Sequence, residues 1–133
     1  MAEISKEMKI ILIINAIVAF IYGCIFLLIP ELYADLIDAV YRNPPLLRLW
    51  GGTIIILGIF ALLAVKRGEW ENVKIVFELA ILWLIMLEIL DIVSLTYVRY
   101  TAANLSSAIM DMIIVAILIV VDIYFYLREE KKQ

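Results

Sequence analysis

Apolar residues run along this chain in four long blocks, 10–29, 46–65, 75–98 and 105–127, separated by short polar or proline-containing stretches. Twenty residues of helix rise about 30 Å, the thickness of a hydrocarbon core, so each block is expected to span a membrane. The first, from Ile10 to Ile29, is longer than the apolar part of an ordinary signal peptide and reads as an uncleaved span. After Pro30, which suits the first turn of a helix, Glu31, Asp35, Asp38 and Arg42 recur on one side. Leu32, Leu36 and Val40, with Tyr33, Ile37 and Tyr41 beside them, form the other side. That pattern predicts a short surface helix over 31–42, stopped by Asn43-Pro44-Pro45. Asn104 or Ser106 is expected to cap the last span, and the polar tail LREEKKQ is expected to need no fold. The fold class follows: all-α, a polytopic membrane four-helix bundle forming a single domain over 1–133. It carries one short interfacial amphipathic helix between the first and second spans.

Small residues mark where helices can approach. Ala16, Ala19 and Gly23 make a stripe on the first span, and Gly51 and Gly58 share a face of the second, with Gly52 adjacent. The third block, KIVFELAILWLIMLEILDIVSLTYVR, is the one around which an interior should form, because it carries Glu78, Glu88 and Asp91. Carboxylates at such depths turn toward protein or water rather than lipid. On the fourth block Ala108, Asp111, Val115, Leu118 and Asp122 follow one seam, and Asp111 and Asp122 differ by only about 20° in azimuth. That seam is expected to face the bundle.

Depth groups these side chains. Arg48, at the start of the second span and above its glycine face, can join Glu88, Asp91 and Asp111 in a buried polar cluster in the outer half. The bland alternative is that Arg48 snorkels to headgroups near Trp50. A secondary, inner set contains Asn15, Glu78 and Asp122. Asn15 is expected to act as hydrogen-bonding glue, Glu78 to pair with Lys74 one turn away, and Asp122 to face either the bundle or wet surface. Glu88, Asp91 and Asp111 have the oxygen ligands a divalent ion wants, but they come from different helices and no short motif fixes them, so no metal site is assigned.

Composition narrows the classes. The 133 residues are 66% hydrophobic, with a mean hydropathy of +1.07, far outside soluble norms. The net charge is −3 and the basic residues are scattered, which argues against nucleic acid as a partner. No histidine is present, and Cys24 stands alone, so an internal disulfide and a two-cysteine relay are excluded. Cys24 itself reads as a small packing residue. With no phosphate loop, zinc spacing or dinucleotide fingerprint, catalysis and a cofactor are not expected. Lys6, Lys9, Lys66, Arg67, Lys74, Arg128, Lys131 and Lys132 fall on one side of the spans, against Arg42, Arg48 and Arg99 on the other. The positive-inside rule then puts both termini in the cytoplasm of a protein expected in the cell membrane.

The segment YGCIFLLIP, with Gly23 and Pro30, and the segment LLRLWGGTIIILGIFALLAVKRGEW, with Arg48, Gly51, Gly52 and Gly58, resemble the small four-span families described as DoxX-like. The resemblance runs to the last span. It implies an accessory role beside quinone-linked membrane enzymes and carries over no catalytic residue. Small multidrug transporters are similar in size only, since their essential acid lies in the first helix, where this chain has Asn15 and no acid. The function expected is non-catalytic: binding a small ligand, a membrane-complex partner or a second copy of the chain within the bilayer, through the polar outer half. The alternative is a proton- or cation-coupled transporter using Glu88 and Asp91.

Overall fold

The computed structural model describes residues 2–133, and within them the chain is all-α. Five helices follow one another: α1 Lys6–Leu28, α2 Pro30–Leu36, α3 Pro44–Arg67, α4 Trp70–Tyr97 and α5 Ala102–Glu130. Three of them, α1, α3 and α5, are long and apolar enough to cross a membrane. The fourth long helix, α4, has 28 residues and carries Glu71, Lys74, Glu78, Glu88 and Asp91; it is not among those three.

The long helices begin ahead of their apolar blocks, because caps and polar first turns belong to a helix without carrying a hydrophobic signal. Ser5 caps α1 by accepting from Met8 N, and Asn43 caps α3 by accepting from Leu46 N at 3.2 Å. Pro44 thus opens α3 as well as ending the preceding segment. The cap of α5 is Thr101, whose hydroxyl accepts from Asn104 N at 3.2 Å; neither Asn104 nor Ser106 takes that place. The surface helix is shorter than its pattern predicts. It stops at Leu36, and Asp38 adopts φ 50°, a left-handed conformation that aspartate tolerates better than most residues but that no helix continues through.

The α1–α3 contact is the most extensive between helices among the described residues, and small residues permit it. A Cβ on Gly51 would stand 2.6 Å from the Leu27 nitrogen and 2.7 Å from the Gly23 carbonyl oxygen. Gly58 lies against Ala16 and Ala19, so the two small-residue faces, each expected to admit a neighbouring helix, pack on one another. Large apolar side chains point outward instead; Ile21, Leu49, Leu82 and Val120 are each more than half exposed. A soluble protein would not tolerate that surface, whereas lipid solvates it.

The bulky core sits at one end. Ile4, Met8, Leu12, Trp70, Val73 and Phe77 are buried there, and Val121, Phe125 and Tyr126 of α5 pack on them. Backbone bonds lock the N-terminal segment onto the α3–α4 turn: Ile4 N donates to Gly68 O at 2.7 Å and Trp70 N to Ala2 O at 3.1 Å. Gly68 ends α3 at φ 71°, the left-handed conformation for which glycine is the usual helix-terminating residue. The C-terminal tail also folds, contrary to the expectation from its polarity. Glu129 is buried and accepts from the Ser5 nitrogen at 2.8 Å and the Ser5 hydroxyl at 2.7 Å. Glu130 accepts from the Trp70 indole at 2.8 Å and from Lys74 at 2.7 Å. Polar residues at a helix end are structured when other elements present donors to them, and here the Ser5 cap of α1 and the first turns of α4 do.

Candidate ligand-binding cavity

Beyond the packed end, the α1–α3 pair and the α4–α5 pair line a half-open cavity of about 500 Å³. Its origin is a matter of bulk. Trp70, Phe77 and Met8 fill the centre at the closed end, while farther along small residues such as Ala19, Gly58, Ala61 and Ala80 line the space and leave it unfilled. The wall is largely apolar, with Trp50 of α3 and Trp83 of α4 held against each other, ring centroids 6.1 Å apart. Four polar side chains enter the wall: Asn15, Tyr22, Asp91 and Asp111. No lysine or arginine lines it among the described residues.

Each polar group has a distinct situation. The Tyr22 hydroxyl donates to Asp111 Oδ1 at 2.7 Å, tying α1 to α5 across the cavity wall. Asn15 donates from Nδ2 to Asp122 Oδ1 at 2.8 Å and to the Ile11 carbonyl at 3.2 Å. Asp122 is fully buried, which settles it toward the bundle, and its second oxygen has no partner among the described residues. Asp91 is half-buried, within electrostatic reach of both Glu88 and Asp111, and its side chain accepts no hydrogen bond among the described residues. Glu88 does not line the cavity; one of its carboxylate oxygens is buried and lacks a partner among the described residues.

Three expectations need correction. Arg48 does not join Glu88, Asp91 or Asp111: its guanidinium donates to Glu31 Oε1 of α2 at 2.7 Å, and both side chains are about half exposed. The physical reason is that α2 lies beside the first turn of α3 and offers a carboxylate without the desolvation that a buried partner would demand. Glu78 pairs with Tyr126, whose hydroxyl donates to it at 2.5 Å, because Lys74 is taken by Glu130. Cys24 is exposed on α1 rather than packed. Among the described residues, no three side chains of Asp, Glu and Cys converge closely enough for a metal ion.

Glu31 adds a pH handle. Its own backbone N–H at the start of α2, and then the Arg48 guanidinium, hold its carboxyl below the usual range. A lowered folded value means the pair contributes fully above the ordinary carboxylate range and loses that contribution as pH falls through the lowered value. Arg48→Ala should therefore melt close to the parent in detergent at neutral pH, since exposed pairs are weak, and the small difference should vanish in acid. A large loss of thermal stability, comparable with breaking a buried pair, would mean that Arg48 reaches the acids of α4 or α5 after all.

Tyr22, Trp50 and Trp83 are site residues that the acid-centred reading passed over. Depth could have found Tyr22, because it lies about as far from the end of the first apolar block, at Ile29, as Asp111 lies from the start of the fourth, at Leu105. Comparison with family models, with curated proteins and with solved structures gives no match.

Proposed function

We propose that the chain is a four-span membrane protein, with α4 as the third span and both termini cytoplasmic, that binds a small amphiphilic ligand without transforming it. The observation that carries this reading is the half-open apolar cavity with Asp91 and Asp111 in its wall. Ligand sites combine a mostly apolar lining with a few convergent polar groups, at volumes of about 300–1,000 Å³. The packed end supports the same reading, since bulky side chains fill that end and leave unfilled space beyond it. The concentration of basic residues near the closed end supports a cytoplasmic position for it. A role beside a membrane enzyme, as the DoxX-like resemblance implies, is compatible with such a site.

Cysteine accessibility tests the proposal. In a Cys24→Ala background, Leu118→Cys on the cavity wall should react in intact cells with a small membrane-impermeant thiol reagent. Ile117→Cys, more than half exposed on the outer surface of α5, should stay unmodified because lipid covers it. Lys132→Cys should also stay unmodified until the cells are opened. Equal inertness at positions 117 and 118 would remove the cavity, and labelling of position 132 in intact cells would reverse the topology. The transporter reading rests on Asp91 reaching the cavity with Glu88 one turn behind it. A ligand-driven proton flux in proteoliposomes, lost in Glu88→Gln, would replace simple binding with that reading.

A further inference from the structure

We infer that the ligand is a lipophilic organic cation, its apolar body in the cavity and its positive group at Asp91. This rests on the binding reading and adds a charge and a contact residue to it.

Charge selects the ligand class. Two carboxylates, Asp91 and Asp111, enter a largely apolar, otherwise uncharged wall that holds no basic side chain among the described residues. Asp111 already accepts the Tyr22 hydroxyl, whereas the Asp91 carboxylate accepts no hydrogen bond among the described residues. Glu88 and Asp111, the charged groups that act on Asp91, are themselves acidic, and among the described residues no basic side chain forms an ion pair with it. A carboxylate in low-dielectric surroundings is costly without one. An incoming cation supplies the missing charge, a neutral molecule leaves the deficit unchanged, and an anion adds repulsion.

Aromatic rings point the same way. Trp50 and Trp83 stand in the same cavity wall as Asp91. The face of an indole attracts a cation through its quadrupole, most strongly when water is excluded, and this suits a quaternary ammonium that donates no hydrogen bond. Asn15 and Tyr22, the other polar lining residues, spend their donors on Asp122 and Asp111. An anionic ligand would therefore find no free charged donor in the wall.

Three probes with one body and different heads test the inference: (4-bromobenzyl)trimethylammonium, 4-bromobenzyl alcohol and 4-bromobenzylsulfonate. Bromine quenches indole emission on contact, so Trp50 and Trp83 report occupancy in a neutral maltoside micelle, while the buried Trp70 supplies a constant background. The ammonium should quench saturably at concentrations about tenfold below the alcohol, and the sulfonate should be weakest. Asp91→Asn should erase the advantage of the ammonium while leaving quenching by the alcohol, which shows the cavity intact. If Asp91→Asn loses quenching by all three, Asp91→Glu decides: restored preference for the ammonium supports the inference, and no preference overturns it. Equal quenching by alcohol and ammonium in the parent would overturn the cation and keep the cavity. No saturable quenching by any of the three would overturn the binding reading together with it.

Discussion

Gly51→Ala should destabilise the protein by about 1–3 kcal/mol in detergent, while Gly52→Ala, one residue on, should be neutral or gain up to about 1 kcal/mol. The difference lies in what the added methyl meets. At Gly51 it meets backbone of α1, the Leu27 nitrogen, the Gly23 oxygen and the Phe26 carbonyl carbon, all within 3.0 Å. Backbone has no rotamer to yield, so α1 and α3 must move apart and lose dispersion contacts along their whole seam. At Gly52 nothing lies within 4 Å, and alanine simply favours the helix. Thermal or denaturant melts of both variants beside the parent decide the matter. Indistinguishable melting of the two would show that the glycine seam does not hold α1 against α3.

Glu129→Leu is the second variant with a large expected cost, of about 1–3 kcal/mol, although its position in a charged tail suggests none. Glu129 is 1% exposed, and its carboxylate receives both the backbone and the hydroxyl hydrogens of Ser5, the residue that caps α1. Leucine would leave those donors facing an apolar group and would remove a negative charge from the positive end of the α1 dipole. Glu129→Gln keeps an acceptor and should lose less. Glu130→Gln, on the exposed neighbour, should lose less still, since glutamine still accepts from the Trp70 indole and the pair given up with Lys74 is exposed. Measured melting temperatures in the order parent, Glu130→Gln, Glu129→Gln, Glu129→Leu are expected. A Glu129→Leu protein as stable as the parent would mean that the tail is not docked on Ser5.

The predicted blocks and the observed helices agree in number and order, and disagree where residues without hydrophobic signal take part. The α2 pattern continues to Arg42, yet the helix ends at Leu36, because periodicity records which side chains could share a face and not where a left-handed residue turns the chain. The α5 seam of Asp111, Val115 and Leu118 does face the interior, lining the cavity, because helical azimuth is a local property that sequence spacing carries directly. Arg48 had two partners of equal plausibility at the level of depth, headgroups above or acids below; the nearness of α2, a tertiary fact, supplied a third.

What the sequence determined by itself is therefore local and additive: helical content, the apolar blocks, the small-residue faces and the shared azimuth of acids along one helix. These follow from 1.5 Å per residue, 100° per residue and the cost of polar groups in hydrocarbon, none of which depends on a neighbour. Tertiary structure alone decided the cavity, the exclusion of Arg48 from it and the clasp of Ser5 on Glu129. A cavity is the space that four helices leave when bulk gathers at one end, and a clasp needs donors and acceptors from opposite ends of the chain. Both are relations between distant segments, and the relative placement of helices, which side-chain volumes set collectively, determines them.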